Sequence, residues 1–540
     1  MSPLGVLRSD GVAALTAVAL LAPETVAFAQ LAGVPPAQGL AAAPLCVIAY
    51  AVLGRSRQLI VGATAATAVL TSAAVTGLAA DPAHRTAYAV ALALLTGAIL
   101  VVTGLLRCGF IARFLAPEAL RGFLFGLAVV IVVRQVAVMA DVHTRDGNVF
   151  VRGGDILRAS GDWSLISLAV GVIALAALYL LERRLPRIPS TLIVLVAAAA
   201  AAYALGLQRH GLQYVPHVPA GLPLVRLPHL PADAWLHLIP AAAGLALIAF
   251  VLGHGVADRL RDDDQPALDA NRDMTGLGVA NLLAGMVGGP AVTGSPSAST
   301  AAVGAGARTR WLPIMSAGLL FTVAVWLTPL FTYLPEPVLA AVVIMAVRPF
   351  LSLAPLRTYY RRDRRAFAVA IVAVLGVVTL TLLPGLLLAV GLSLLIFIAD
   401  AGHLRVSELG RSADGAYLAL DAHPDLRTFD DLVILRPDGP LFFATTGQLR
   451  AAVEAAVAGV PRRVVILDLT ASFSLRLSVV ETLSALHRRL AGDGRELYFV
   501  HLYRQAGAAV SASDLAAVPA FTTLDAAIAA ATPAPERSGS

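Results

Sequence analysis

The sequence predicts an α-helical polytopic membrane domain of about fourteen segments, followed by a small cytoplasmic α/β domain. Hydrophobic residues make up 58% of the 540 positions and charged residues 14%, which excludes an ordinary soluble protein. Apolar runs recur from Gly11 to Ile398, and the pattern changes after Asp400 to alternating strands and helices. We therefore expect a membrane domain over residues 1–400, an α/β domain over 401–531 and a disordered tail over 532–540.

The individual apolar runs support integral membrane helices. The first, Gly11–Ala32, contains Pro23 and Glu24 at its middle and has no small-residue cleavage site after it, so it is not a signal peptide. The runs around Leu277–Val287 and Thr300–Ala307 are too short for a full span. Shortened segments of this kind indicate discontinuous helices within a transporter.

Composition and charge exclude several other classes of protein. Cys46 and Cys108 are the two cysteines, both in apolar runs, so we expect no disulfide framework, metal site or cofactor. The net charge of +6 is not clustered on a basic face, which argues against nucleic acid as a partner. We find no nucleophile–base set, so an enzyme is not expected.

The distribution of basic residues predicts the orientation in the cell (inner) membrane. Arginines concentrate in alternate short loops, whereas the intervening loops are mixed, acidic or poor in cations. By the positive-inside rule, both termini are cytoplasmic. The loops with this excess contain Arg55 and Arg57, Arg107 and Arg113, Arg183, Arg184 and Arg187, Arg308 and Arg310, and Arg357 through Arg365.

The C-terminal region predicts a mostly parallel sheet, because strand patterns alternate with helix patterns. The predicted strands are Leu432–Arg436, Leu441–Phe443, Val464–Asp468 and Leu497–Leu502, and the predicted helices are Gln448–Ala458 and Val479–Leu490.

The stretch Thr293–Thr300 is the strongest candidate for a functional site. It is rich in hydroxyl groups and is opened by Gly294 and Pro296, although it lies within the membrane domain. Irregular backbone at membrane depth is tolerated where it lines a cavity or is buried in protein. A helix that begins there directs free N–H groups and a positive dipole end into the cavity, which suits a bound anion.

Several motifs in order resemble the SulP anion permeases, a family of sulfate-permease-type carriers that includes prestin. Pro23–Pro36 is similar to the family's Pro-Gln-x-x-Ala-Phe/Tyr-Ala-x-x-Ala-Gly-x-Pro-Pro, and Thr293–Ser299 resembles Thr-Gly-Ser-x-Ser-Arg-Ser. Further matches are Gly54–Arg57 with Gly62–Thr64, Asp269–Asn281 and Ala305–Thr309, and the C-terminal region resembles a STAS domain.

The resemblance implies two inverted repeats of seven segments, with a core domain that carries the substrate against a gate domain in a homodimer. The third and tenth segments would be half-crossing helices whose N-termini face each other near the midplane. The anion site implied by the motifs consists of Glu24, Phe28, Thr64, Ser295, Pro296, Ser297 and Ala298.

Each polar residue of this implied site also has a structural interpretation. Ser295 and Ser297 would either donate hydrogen bonds to an anion or cap a buried helix, and we favour the first. Thr64 and Thr67 would either line the site or pack helices together. Ala298 stands where many family members have Arg, so a monovalent or protonated substrate is easier to accommodate than a dianion.

Two residues are candidates for ion coupling. A carboxyl at membrane depth is a functional candidate by default, and Glu24 stands where the family often has Gln, so we favour proton coupling over a simple ion pair. Leu252 occupies the position at which many members carry Glu. His254, which follows at close range, is a second candidate, although a lone histidine is more often a packed or hydrogen-bonded residue. Asp273 is interpreted as structural.

The STAS resemblance includes a candidate regulatory position. Asp468–Thr470 fits the family's strand end, and Ser478 occupies its phosphorylatable position. Arg476 replaces the usual Asp and Val479 the usual Gly, so a role in dimer stability or membrane delivery is preferred to phosphorylation.

The leading functional prediction is a secondary active transporter of a small anion (bicarbonate, sulfate or a carboxylate), coupled to a proton or sodium by alternating access. Sodium-coupled, bicarbonate-type uptake and a non-transporting STAS regulatory membrane module are the alternatives. Nucleobase permeases share the fold but use carboxylates that Leu252 and Ser297 do not supply.

Overall fold

The computed structural model describes residues 3–76, 82–110, 116–145, 147–185, 190–215, 227–262, 265–307, 309–380, 382–458 and 463–532. Contacts divide the chain into a first unit, Met1–Leu394, and a second unit, Leu395–Ser540. The tail predicted over 532–540 lies outside the described residues except for Thr532.

The first unit is built from helices. Within the described residues, seven helices are long and apolar enough to cross a membrane, and shorter apolar helices accompany them, so this is a multi-pass membrane protein. The helices that begin in this unit are α1 Pro3–Leu31, α2 Pro36–Leu53, α3 Ala65–Thr76, α4 Pro82–Leu105, α5 Pro117–Ala140, α6 Val149–Arg158, α7 Leu165–Arg184, α8 Ser190–Ala204, α9 Ala232–Arg259, α10 Ala270–Met286, α11 Pro296–Gly304, α12 Trp311–Thr322, α13 Glu336–Val347, α14 Ala354–Arg362, α15 Arg364–Thr379 and α16 Leu382–Ala401.

The helices α3 and α11, with 12 and 9 residues, are each too short to span a bilayer. Each follows a two-residue strand: β1 (Val61–Gly62) precedes α3, and β2 (Thr293–Gly294) precedes α11. The strands pair antiparallel, with Val61 opposite Gly294. Because paired antiparallel strands run in opposite directions, the two helices leave this small sheet from opposite ends, and both N-termini lie next to it.

Small residues bring α4 and α10 into close contact. A Cβ on Gly278 would lie 2.7 Å from the backbone nitrogen of Val101, and one on Gly97 would lie 2.7 Å from the carbonyl oxygen of Gly278. The absence of side chains at these two positions therefore allows the helix backbones to approach each other directly, as is common in membrane proteins.

The second unit contains a six-stranded sheet in the order β4-β3-β5-β6-β7-β8. Strands β5, β6, β7 and β8 run parallel to one another, whereas β3 is antiparallel to both β4 and β5. The elements are β3 Val406–Arg411, β4 Tyr417–Ala419, β5 Leu432–Pro437, α17 Thr446–Val457, β6 Val464–Asp468, α18 Leu477–Gly492, β7 Glu496–Val500, α19 Arg504–Ser511, β8 Ala520–Phe521 and α20 Leu524–Ala531.

The predicted strands at Leu432, Val464 and Leu497 are confirmed, and so are the two predicted helices. The predicted strand Leu441–Phe443 is wrong, because this segment forms a turn that leads into α17. The Thr445 hydroxyl accepts a hydrogen bond from the Phe442 nitrogen at 3.0 Å, and it contacts the Phe442 carbonyl oxygen at 3.1 Å. These local bonds satisfy backbone groups that a strand would need for its ladder.

Candidate functional site

Glu24 and Ser297 form a direct contact between α1 and α11. The Ser297 hydroxyl donates to Oε2 of Glu24 at 2.8 Å. Glu24 is 4% exposed, and Phe28, one turn further along α1, is 2% exposed. The structure therefore brings together residues that are 273 positions apart in the sequence, as the motif resemblance implies.

The start of α11 divides its two serines between different tasks. Ser295 is the N-cap residue, and its hydroxyl accepts from the Ala298 nitrogen at 3.3 Å. Pro296 occupies the first turn, where its missing N–H costs nothing. The Ser297 hydroxyl lies 3.1 Å from that of Ser295 and bonds onward to Glu24. The capping interpretation thus describes Ser295, whereas Ser297 contributes to a polar chain at the helix start.

The start of α3 is capped by Thr64 and Thr67. The Thr64 nitrogen donates to the Thr67 hydroxyl at 3.1 Å, and the two hydroxyl oxygens lie 3.2 Å apart. Thr64 is 7% exposed and Thr67 is fully buried. Both side chains therefore cap this helix end, a role that differs from the helix–helix packing that the sequence offered as the alternative to lining the site.

Backbone bonds hold the two helix starts in a fixed relation. The Ser295 nitrogen donates to the Ile60 carbonyl at 2.8 Å, and the Ile60 nitrogen donates to the Ser299 hydroxyl at 2.9 Å. A Cβ on Gly294 would lie 2.6 Å from Cδ1 of Leu59 and 3.0 Å from Cα of Gly253, so a side chain at this position would force its neighbours to shift. The segment before α3 thus positions the first turn of α11.

The electrostatics of the site depend on helix ends and one carboxyl. Among the described residues, the hydrogen bonds of Glu24, Ser295 and Ser297 involve no lysine or arginine. Ala298 is fully buried and adds no charge. The positive potential here comes from the N-termini of short helices, each equivalent to roughly half an elementary charge. An ionised Glu24 opposes that potential.

His254 lies in a different cluster, centred on Asp273. Its Nδ1 is 2.9 Å from Oδ2 of Asp273, and its ring stacks on Phe250 with centroids 5.5 Å apart. The Tyr50 hydroxyl and the Arg55 nitrogen donate to Oδ1 of Asp273 at 2.8 and 2.9 Å. Asp273 is fully buried. These bonds connect α2, α9 and α10, and Asp273 has the contacts of a structural residue.

Leu252 packs in the hydrophobic core with 8% exposure. Within the described residues, no group of three potential metal ligands is present in either unit. The groups that the structure brings together at the start of α11 are hydroxyls, backbone N–H groups and a carboxyl.

Sequence reasoning missed a second polar region on α1. Gln30 donates through Nε2 to Oε1 of Glu336, on α13, at 3.1 Å. Both residues line a cavity that also contains Arg134 of α5. The signal that could have found it is the presence of Arg134 within a long apolar run, because charged residues in such runs are rare and functional.

In the second unit, the candidate residues lie at the carboxyl ends of two parallel strands. Arg476 is the N-cap residue of α18, and Ser478 is partly exposed in its first turn. Asp468 Oδ1 lies 2.8 Å from Nδ1 of His501 and accepts from the Thr470 hydroxyl at 2.5 Å. His501 adopts φ 58°, a left-handed conformation that is uncommon for residues other than glycine, although histidine adopts it more often than most.

Comparison with known proteins decides the family. The sequence profile of the Sulfate permease family matches residues 7–374, and that of the STAS domain matches residues 423–527. The chain belongs to the sulfate permease family. Membership of this permease family makes the protein a transporter, with a STAS domain after its membrane helices, and not an enzyme.

Relatives with similar sequences agree with this assignment. The chain is 32% identical over 497 residues to a probable sulfate transporter of Mycobacterium tuberculosis, an alignment that covers 90% of this chain and 88% of that protein. It is 29% identical to the chloroplastic sulfate transporter 4.1 of Arabidopsis thaliana, over 82% of this chain and 66% of the relative.

Solved structures of two other transporters have the same fold. The murine Solute Carrier 26 member A9 anion transporter, in the inward-facing state, superposes with a TM-score of 0.90 at 20% identity, over 98% of this chain and 92% of that one. The transmembrane domain of the cyanobacterial bicarbonate transporter BicA superposes with a TM-score of 0.63, also at 20% identity, over 72% of this chain and 97% of that one. The predicted fold class is therefore confirmed.

Proposed function

We propose that this family member moves a small anion across the membrane by alternating access and that a proton accompanies the anion. The observation that carries the proposal is the 2.8 Å hydrogen bond from Ser297 to Glu24 at the N-terminus of α11. It places a titratable group directly beside the helix end that suits an anion.

Protonation of Glu24 would change this site in two ways. It would remove a negative charge that repels the anion, and it would make Glu24 a hydrogen-bond donor. A protonated Glu24 could donate to the Ser297 oxygen, so that the Ser297 hydroxyl turns toward the anion. Proton binding and anion binding would then favour each other, which is the thermodynamic requirement for coupled transport.

The substrate class follows from the modest positive charge of the site. Relatives are named as sulfate transporters, and a structural neighbour is named as a bicarbonate transporter. With Ala298 in place of a cationic side chain, attraction depends on helix ends that contribute about 0.3–2 kcal/mol each near a charge. A monovalent or protonated anion is therefore the substrate that we propose.

The remaining sequence predictions complete the proposal. Both termini would be cytoplasmic in the cell membrane, because arginines concentrate in alternate loops. The transport domain would end near residue 400, and two chains would form a homodimer. Phe28 and Thr64 would complete the substrate site, and His254 would be a second, weaker candidate for ion coupling.

The decisive experiment is uptake of radiolabelled anions into proteoliposomes that contain the full-length protein. Bicarbonate, sulfate, nitrate and a small carboxylate are offered one at a time, with proton and sodium gradients imposed separately. The proposal expects uptake that an inward proton gradient stimulates. Stimulation by sodium alone would support the sodium-coupled alternative, and absence of uptake for every anion would contradict transport.

A further inference from the structure

A cavity of about 140 Å³ lies between α1, α5 and α13 and contains both a cation and a carboxyl group. Its polar lining is Gln30, Arg134, Gln135 and Glu336, and its other walls are aliphatic. An arginine within a membrane-spanning helix is costly and is a functional candidate by default. The cavity is therefore more than a packing defect.

Both charged groups are positioned by polar neighbours. Nη1 of Arg134 donates to the Ser72 hydroxyl on α3 at 2.7 Å. Oε1 of Glu336 accepts from the Gln30 amide on α1 at 3.1 Å. Ser72 is 6% exposed, so the contact that orients Arg134 is deep in the unit. A guanidinium and a carboxyl thus face one cavity from α5 and α13.

We propose that this cavity binds a protonated monovalent oxyanion of the bicarbonate type, and the proposal rests on the transport function proposed above. The planar guanidinium of Arg134 matches two oxygens of such an anion. The carboxylate of Glu336 accepts a hydrogen bond from the anion's hydroxyl group. An anion that has both features satisfies both charged groups of the cavity at once.

The balance of charge explains why other anions fit less well. Arg134 and an ionised Glu336 sum to zero, so a monoanion leaves one net negative charge and a dianion leaves two. Excess charge in a partly buried site is unfavourable. Sulfate has no proton at neutral pH and meets Glu336 as a like charge. Nitrate has a single charge but also lacks the proton, which makes it a useful comparison.

The cavity lies along the same helix as the Glu24 site. Ala27 and Gln30 both line it, and they follow Glu24 on α1 by three and six residues. Those intervals correspond to about 4.5 and 9 Å along a helix axis. The cavity therefore begins about one turn of α1 away from Glu24, and in this proposal it is a neighbouring site that selects for the protonated form.

Protection from thiol modification tests this inference on the full-length protein. A cysteine is introduced at Val138, which lines the cavity and is 36% exposed, in a Cys46→Ala, Cys108→Ser background. Modification by the neutral reagent methyl methanethiosulfonate is timed at mildly alkaline pH in bicarbonate, nitrate, sulfate or gluconate. We expect bicarbonate to slow the reaction about fivefold or more relative to gluconate, and nitrate and sulfate to slow it less than about twofold.

Variants of Arg134 and Glu336 test whether the protection from thiol modification depends on these two residues. Arg134→Met should abolish protection, whereas Arg134→Lys should retain part of it. In Glu336→Gln, nitrate and sulfate should protect the introduced cysteine nearly as well as bicarbonate does. This variant also keeps the test decisive if Arg134→Met fails to fold. Ala413→Cys, an exposed position in the second unit, should react at one rate in all four anions.

With Arg134 and Glu336 both present, equal protection by the three anions would overturn the inference, and so would no protection by any of them. Protection that the Arg134 and Glu336 variants leave unchanged would also overturn it. Anion uptake into proteoliposomes distinguishes failure of the cavity proposal from failure of the proposed transport function. Uptake without bicarbonate protection rejects the cavity alone. Bicarbonate protection without uptake of any anion rejects the transport function and leaves the cavity as a binding site.

Discussion

The hydroxyl of Ser297 donates to the carboxylate of Glu24 across 2.8 Å, and this bond joins the first turn of α11 to the C-terminal third of α1. Glu24 is nearly inaccessible to solvent. A titratable group thus contacts the residue that is best placed to bind an anion, and the predictions below follow from this contact and from the packing around it.

Replacement of Glu24 by Gln should remove the pH dependence of anion uptake. Gln has the size of a protonated Glu and can still bond to Ser297, so anion binding should remain measurable. The wild type should take up more anion as the external pH falls, whereas the variant should give a flat profile. A profile that keeps its slope in the variant would assign the coupling elsewhere.

Replacement of Ser297 by Leu should block uptake, because the larger apolar side chain fills the space at the start of α11 and leaves Glu24 without its donor. Ser297→Ala is the matched control, since it removes the hydroxyl without adding volume. We expect Ser297→Ala to weaken apparent affinity by about tenfold, the equivalent of one hydrogen bond to a charged group. Normal uptake by the Leu variant would exclude the start of α11 from the site.

A cation at position 298 should change the choice of anion. Ala298→Arg restores the side chain that many family members have there, and it should raise the affinity for sulfate relative to bicarbonate by about tenfold or more. Competition by unlabelled sulfate in an uptake assay measures the change. An unchanged ratio in a variant that unfolds at the wild-type temperature would contradict the electrostatic argument.

His254 provides a test of the competing site for coupling. Its Nδ1 bonds to the buried Asp273, so His254→Gln should lower the free energy of unfolding by about 1–3 kcal/mol. Tyr50→Phe, which removes another donor to the same carboxylate, should have a similar effect. Both variants should keep the wild-type pH profile of uptake. A flat profile for His254→Gln alone would transfer the coupling role to His254.

Close packing of α4 against α10 should make Gly278 intolerant of a side chain. Gly278→Ala places a Cβ 2.7 Å from the Val101 nitrogen, and overpacking of this kind costs about 1–3 kcal/mol. Gly255→Ala is the matched control, because a Cβ there meets no atom within 4 Å. Thermal unfolding in detergent should show a lower midpoint for the first variant. Equal midpoints would contradict the packing argument.

Much of the fold could be predicted because its signals are strong and local. Long apolar runs reveal membrane helices, and buried β-branched runs such as Val464–Asp468 reveal the parallel strands. The pair β1 and β2 could not be found in this way, since strands of two residues have no periodicity. The turn at Leu441–Phe443 was mistaken for a strand because its apolar composition conceals the hydrogen bonds of Thr445.

Part of the candidate site could be predicted from the sequence. The motifs place Glu24 and Ser297 in one region. Only the structure shows that Ser295 caps the helix while Ser297 bonds to Glu24. The partnership of His254 with Asp273 depends on the crossing of α9 and α10, which no local pattern specifies. The cavity around Arg134 was missed for the same reason, because three distant helices form it.

Simultaneous measurement of proton and anion fluxes in proteoliposomes tests the central claim most directly. For a transported anion that does not bind protons near neutral pH, such as nitrate or sulfate, uptake by the wild type should acidify the lumen, as a pH-sensitive dye reports, in proportion to the radiolabelled anion that enters. Glu24→Gln should bind the anion without driving that acidification. Equal proton movement per anion in the wild type and in Glu24→Gln would contradict the account.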